Sequence, residues 1–147
     1  MMNLHRLEID VMRDEGFSSQ PYRDSLGYWT IGYGSRYVMG EAVTGETKPL
    51  RSDQARILLR ADLYRAILDA EELFPRIREM CHYRAECLAN MAYNLGHYKL
   101  SRFVKMRAAA DLLDFQKMAD EMVNSKWHGQ VGGRAVRLEM IMRTGHK

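Results

Sequence analysis

The chain has 147 residues, enough for one domain able to bury a core, and room to divide that domain into two lobes. Apolar residues make up 46% and charged residues 28%, an ordinary balance for a soluble protein, and no window approaches the roughly 18 apolar residues a membrane-spanning helix needs. The net charge of +3 is uneven: residues 1–73 hold 9 basic and 12 acidic side chains, residues 74–147 hold 13 and 7. The second half therefore carries a positive field open to any polyanion, but no nucleic-acid-binding module accompanies it, and the expectation is no nucleic-acid partner.

The opening MMNLHRLEIDVMRDEG carries acids and lacks the apolar block and cleavage site of a signal peptide, which predicts a chain made and kept in the cytoplasm. Leu4, Leu7 and Val11 recur at helical spacing, so about residues 2–15 form an amphipathic helix that Gly16 ends. Gln20 to Asp24 and Tyr28 to Gly34 are β-prone runs joined by Ser25-Leu26-Gly27, a hairpin. Gly40, Gly45 and Pro49 break up the next segment, leaving space for at most one short strand. Ser52 is a good N-cap for a helix of about twenty residues whose stripe is Leu59, Leu63, Ile67 and Ala70.

Past Pro75 the chain reads as packed helices. Leu88, Met91, Ala92 and Leu95 mark one closed by Gly96, and Phe103 to Leu113 hold one or two short ones. Asp114 caps another reaching about Asn124, and a last helix runs from Arg134 to Arg143. The expected class is α+β: a small β-lobe over about 14–50, a connecting helix over about 52–72, and an all-α lobe over about 73–147. Cys81 and Cys87 suit neither a metal site nor a local disulfide and read as reduced structural thiols. The five histidines show no metal-ligand pattern, so neither metal nor cofactor is expected.

Chemistry concentrates in DEGFSSQPYRDSLGYWTIGYG, Asp14 to Gly34. It sets Glu15 at a helix end, Asp24 at a tight turn and Thr30 in the returning strand. Hydrolysing a glycosidic bond takes one acid to protonate the leaving oxygen and a second group to stabilise the cation or aim a water. Each residue alone has a plain structural explanation: a frayed surface acid, a turn cap, a β-former. Helix-end placement disfavours the charged form of Glu15, and partial burial would do the same, so the expectation is a proton to donate. The hairpin return brings Asp24 and Thr30 together at one end. Strand alternation sets Tyr28, Thr30 and Gly32 on one face, where Thr30 can face a cleft. Gly32 and Gly34 leave space for a ligand or another backbone.

The pattern E-G…YxD…GYxTIGxG resembles the signature of the T4-type phage lysozymes, glycoside hydrolase family 24. Asn90 to Gly96, Ser125-Lys126-Trp127, Gln130, Arg134 and Arg143-Thr144-Gly145 extend the resemblance over nearly the whole chain. The resemblance implies a muramidase that cuts the β-1,4 bond between N-acetylmuramic acid and N-acetylglucosamine in peptidoglycan with inversion. In it Glu15 is the general acid, and Asp24 with Thr30 orients the water. Arg134 matches the arginine that the family pairs with its catalytic Glu, an influence that favours the charged carboxylate and opposes burial. Asn94 and Gln130 either contact substrate or support Trp127, which itself reads as lobe packing. Tyr33 is a further substrate-binding or supporting candidate. Ser35 stands where the family often has His, a structural partner for an acid, so catalysis is expected to survive and local stability to differ.

The implied setting is a monomeric endolysin with no stable membrane anchor, held in the host cytoplasm until a holin-like pore admits it to the periplasm and wall. Three rivals remain. A lytic transglycosylase protonates with Glu but needs no water-orienting Asp and Thr. A virion-associated wall-binding protein needs none of the three. A membrane-active protein would use the basic last helix, Arg134 to His146, whose apolar side equally suits lobe packing.

Overall fold

The computed structural model describes residues 2–147 and contains two compact units, one spanning Leu4–Tyr64, the other Arg65–Lys147 with the N-terminal residues up to Asn3. The first unit opens with α1, Leu4–Glu15, which buries Leu7 and Val11 one turn apart, as the periodicity predicts. Gly16 ends it at φ 68°, its N–H donating to Met12 O at 2.9 Å. A left-handed residue that closes this bond satisfies a carbonyl the helix would otherwise leave open.

Strands β1, Ser18–Arg23, and β2, Trp29–Gly32, form the antiparallel hairpin. Tyr22 faces Thr30 and Arg23 faces Trp29, but Ser18 already faces Gly32, so β1 carries extra residues and a bulge. Pro21 falls in this irregular stretch, where its missing N–H costs the ladder least. The sequence allows one further short strand at most; the structure has two, β3 (Tyr37–Val38) and β4 (Glu41–Ala42), paired as a second hairpin. Its two turn residues, Met39 and Gly40, take φ of 52° and 83°. Such a primed turn normally advertises itself as Asn-Gly or Asp-Gly, and a methionine in the left-handed region sends no such signal.

Helix α2, Ser52–Leu73, buries Ala55, Leu59, Leu63, Ala66 and Ala70 on one stripe. Ser52 is not its cap. The cap position falls to Arg51, whose C=O accepts from Ala55 N at 3.0 Å and whose own N–H donates to Gln54 Oε1, also at 3.0 Å. That second bond is half of a capping box, a glutamine three residues in reaching back to the cap.

The second unit continues past a 3-10 turn at Ile77–Glu79 with α3 (His82–Leu95), α4 (His97–Ser101), α5 (Val104–Asp111), α6 (Phe115–Val123), α7 (Lys126–Val131) and α8 (Gly133–Thr144). Gly96 closes α3 at φ 82°, donating to Ala92 O. Asp114 caps α6 by accepting from Lys117 N, and Ser125 caps α7 by accepting from His128 N. One core unites these helices around Phe74, Leu88, Met91, Leu100 and Met106, with Met118, Met122 and Met142 from α6 and α8. Trp127 is 3% exposed within it. The architecture is α+β, as expected, and no helix among the described residues is long and apolar enough to cross a membrane.

Candidate active site

Glu15, Asp24 and Thr30 all belong to the unit Leu4–Tyr64. Glu15 is the last residue of α1, half-buried, and its side chain rests against the backbone of Gly34. A Cβ built on Gly34 would stand 2.6 Å from Glu15 Oε2 and 2.7 Å from its Cδ. The space left by Gly32 is likewise taken from within, by the Ala55 Cβ at 3.0 Å. Neither glycine keeps its space for a ligand; each admits a neighbouring part of the same unit. Beside them Tyr33 packs its ring on Phe17, centroids 5.4 Å apart.

Asp24 shapes the hairpin turn. Its Oδ1 accepts from Leu26 N and Tyr28 N, both at 2.9 Å, and its backbone exchanges further bonds with Tyr28 O and Gly27 N. Its Oδ2 lies 3.3 Å from Arg36 Nη2, and the Arg36 guanidinium stacks 4.0 Å above the Tyr28 ring. Thr30, expected to face a cleft, is buried at 1% exposure, and its Oγ1 donates to Tyr28 O at 2.8 Å. Strand alternation fails as a guide here because Thr30, Ile31 and Gly32 are all buried, so β2 has no solvent face.

Tyr22 stands opposite Thr30 in the hairpin. Burial first, then the charges of Glu15 and Asp24, push its phenol above the usual tyrosine value. A further negative charge beside two carboxylates is disfavoured, so this hydroxyl stays protonated and can donate. The sequence places Tyr22 only within the motif; its position opposite Thr30 is the signal that could have found it. Arg36 gives no sequence signal at all.

Ser35 has an acid partner: it is buried, and its Oγ donates to Asp62 Oδ2 at 2.7 Å. Asn94, Gln130 and Arg134 lie in the other unit. Asn94 Oδ1 accepts from the Trp127 indole N–H at 2.7 Å. Arg134 Nε donates to the buried Asn90 Oδ1 at 2.9 Å, and Gln130 is exposed on α7. The same unit concentrates part of the basic charge of the second half around a cavity of about 520 Å³, lined by Lys99, Arg102, Lys105 and Lys126 against Glu121.

The chain is 29% identical over 156 aligned residues to the pre-baseplate central spike protein Gp5 of Enterobacteria phage T4, covering 92% of the chain but 27% of that protein. It is 24% and 26% identical to two probable T4-type lysozymes of Dictyostelium discoideum, 1 and 2, over 90% of the chain and 90% of each. Residues 12–143, which hold Glu15, the hairpin and all of the second unit's helices through Arg143, match the phage lysozyme family. The chain belongs to the phage lysozyme family and is a lysozyme, a glycoside hydrolase.

Proposed function

We propose that this lysozyme hydrolyses the β-1,4 bond between N-acetylmuramic acid and N-acetylglucosamine with inversion, Glu15 serving as general acid and Asp24 as the base that aims the water. The observation that supports the reading is the presence of Glu15, Asp24 and Thr30 in one compact unit, all inside the stretch that matches the phage lysozyme family. Glu15 Oε–H passes its proton to the leaving glycosidic oxygen. Asp24 accepts a proton from the water that attacks the anomeric carbon from the opposite face. Thr30 has its hydroxyl proton committed to Tyr28 O, so its contribution is a lone pair that accepts from that water.

Clearing of a peptidoglycan suspension tests the assignment. Glu15→Gln and Asp24→Asn should each lose about 10²–10⁴-fold in rate, the range expected for general acid–base groups, with thermal unfolding retained. Full activity in Glu15→Gln overturns it. The first-released anomer, read by NMR, should be inverted, and ends should be reducing sugars; anhydro ends would instead mark a lytic transglycosylase. Release from an infected cell through a holin-like pore, as a monomer, is the setting we favour. The likeness to a phage spike protein supports a second one, the same lysozyme carried by a virion to act from outside. Lysis timing in a host with and without the holin gene distinguishes them.

A further inference from the structure

We propose that Arg36 is a positioning residue that fixes the direction from which Asp24 can hold the attacking water. The inference rests on the reading of Asp24 as the water-aiming carboxylate. A carboxylate offers about four acceptor positions, two on each oxygen. Leu26 N and Tyr28 N occupy both positions on Oδ1. Arg36 Nη2 takes one on Oδ2. A single acceptor direction is left, on Oδ2, and a water donating there is constrained in angle as well as distance.

Arg36 is itself held. Its guanidinium carbon sits 4.0 Å from the Tyr28 ring centroid, and its backbone C=O accepts from Val43 N at 2.8 Å. The Tyr28 residue that supplies this ring also gives Asp24 one of its two backbone donors, so cation, ring and carboxylate form one closed cluster. Arginine suits this place better than lysine: its planar group stacks and donates at once, where an ammonium is a strongly hydrated point charge. Without Arg36 the Asp24 side chain would keep its two Oδ1 bonds and its turn, but Oδ2 would offer two directions instead of one.

The test measures kcat and KM separately on soluble peptidoglycan fragments, in the wild type and in the Asp24→Asn background. Arg36→Gln should lower kcat about 10–100-fold, the scale of a misplaced reactant, while KM stays within about twofold. Arg36→Lys should recover part of that loss. Tyr28→Leu, which removes the ring and leaves the backbone donor, should give an intermediate loss and serves if Arg36→Gln does not fold. In the Asp24→Asn background Arg36→Gln should change the residual rate less than about twofold, because a group acting through Asp24 has nothing left to position. An unchanged kcat in Arg36→Gln, or equal losses in both backgrounds, overturns the proposal. If Asp24→Asn itself keeps full kcat, the parent reading of Asp24 fails and takes this one with it. An inactive Asp24→Asn beside a fully active Arg36→Gln removes Arg36 alone.

Discussion

Gly34 gives the clearest residue-scale prediction. Its φ of 83° strains any L side chain, and a Cβ there meets the Glu15 carboxyl at 2.6 Å. Gly34→Ala should cost about 1–2 kcal/mol in stability from backbone strain. It should also lose about 10²-fold in clearing from displacement of the acid, far more than the lost folded fraction explains. Activity per folded molecule, read beside a thermal melt, separates the two effects. Ser35 predicts a different balance. Ser35→Ala leaves Asp62 without the buried hydroxyl that donates to it at 2.7 Å across a part-buried bond, and stability should fall by about 1 kcal/mol with kcat retained. Glu15 and Asp24 are legible in the sequence because a helix end and a tight turn both leave local signatures. Arg36 is not, since an arginine after a strand looks like any solvated cation until its partners across the hairpin are known.

Among elements, α1 and α2 are tied by charge. Glu8, 9% exposed on α1, accepts from Arg56 Nε at 2.7 Å and Arg60 Nε at 3.2 Å, two arginines one turn apart on α2. Burial alone would raise the Glu8 pKa, but the two guanidinium bonds and their charges outweigh it and hold it below the ordinary glutamate value. A folded pKa below the unfolded one means the tie contributes fully above the unfolded value of about 4.3 and is lost as pH falls through the lower, folded one. Glu8→Gln should therefore destabilise by about 1–2 kcal/mol at neutral pH, discounted for the half-exposed arginines. The gap to wild type should shrink below about pH 4 in urea melts. A gap that widens on acidification contradicts the assignment. Nothing in the sequence announces this tie, whose partners are 48 and 52 positions apart. The long helices are legible from their stripes; α4 and α7, five and six residues long, are too short to display a period.

At the scale of the whole molecule, the two thiols divide as exposure dictates. Cys81 is exposed before α3, whereas Cys87 is buried inside it, donating to Leu138 O at 3.3 Å, and burial pushes its thiol far above the usual cysteine value. A thiol reagent at pH 8 should titrate one group in the native protein and two in denaturant. Two fast native groups would show that α3 opens locally. The division into units also explains what pattern reading supplies at this scale. Periodicity assigns helices to the right stretches, but a boundary at Tyr64/Arg65 falls inside the unbroken α2, where no change of composition marks it.

The close approach of Gly34 to Glu15 has an evolutionary corollary. The Glu15 carboxyl is seated against the main chain of Gly34, so its placement is sensitive to a single methyl group there. On the proposed roles, a descendant that loses most of its cleavage needs no change at Glu15, Asp24 or Thr30. One base change in the Gly34 codon would bring the loss of about 10²-fold expected for Gly34→Ala, and a homologue with both carboxylates intact but alanine or serine at this position should be assayed for cleavage before it is called a hydrolase.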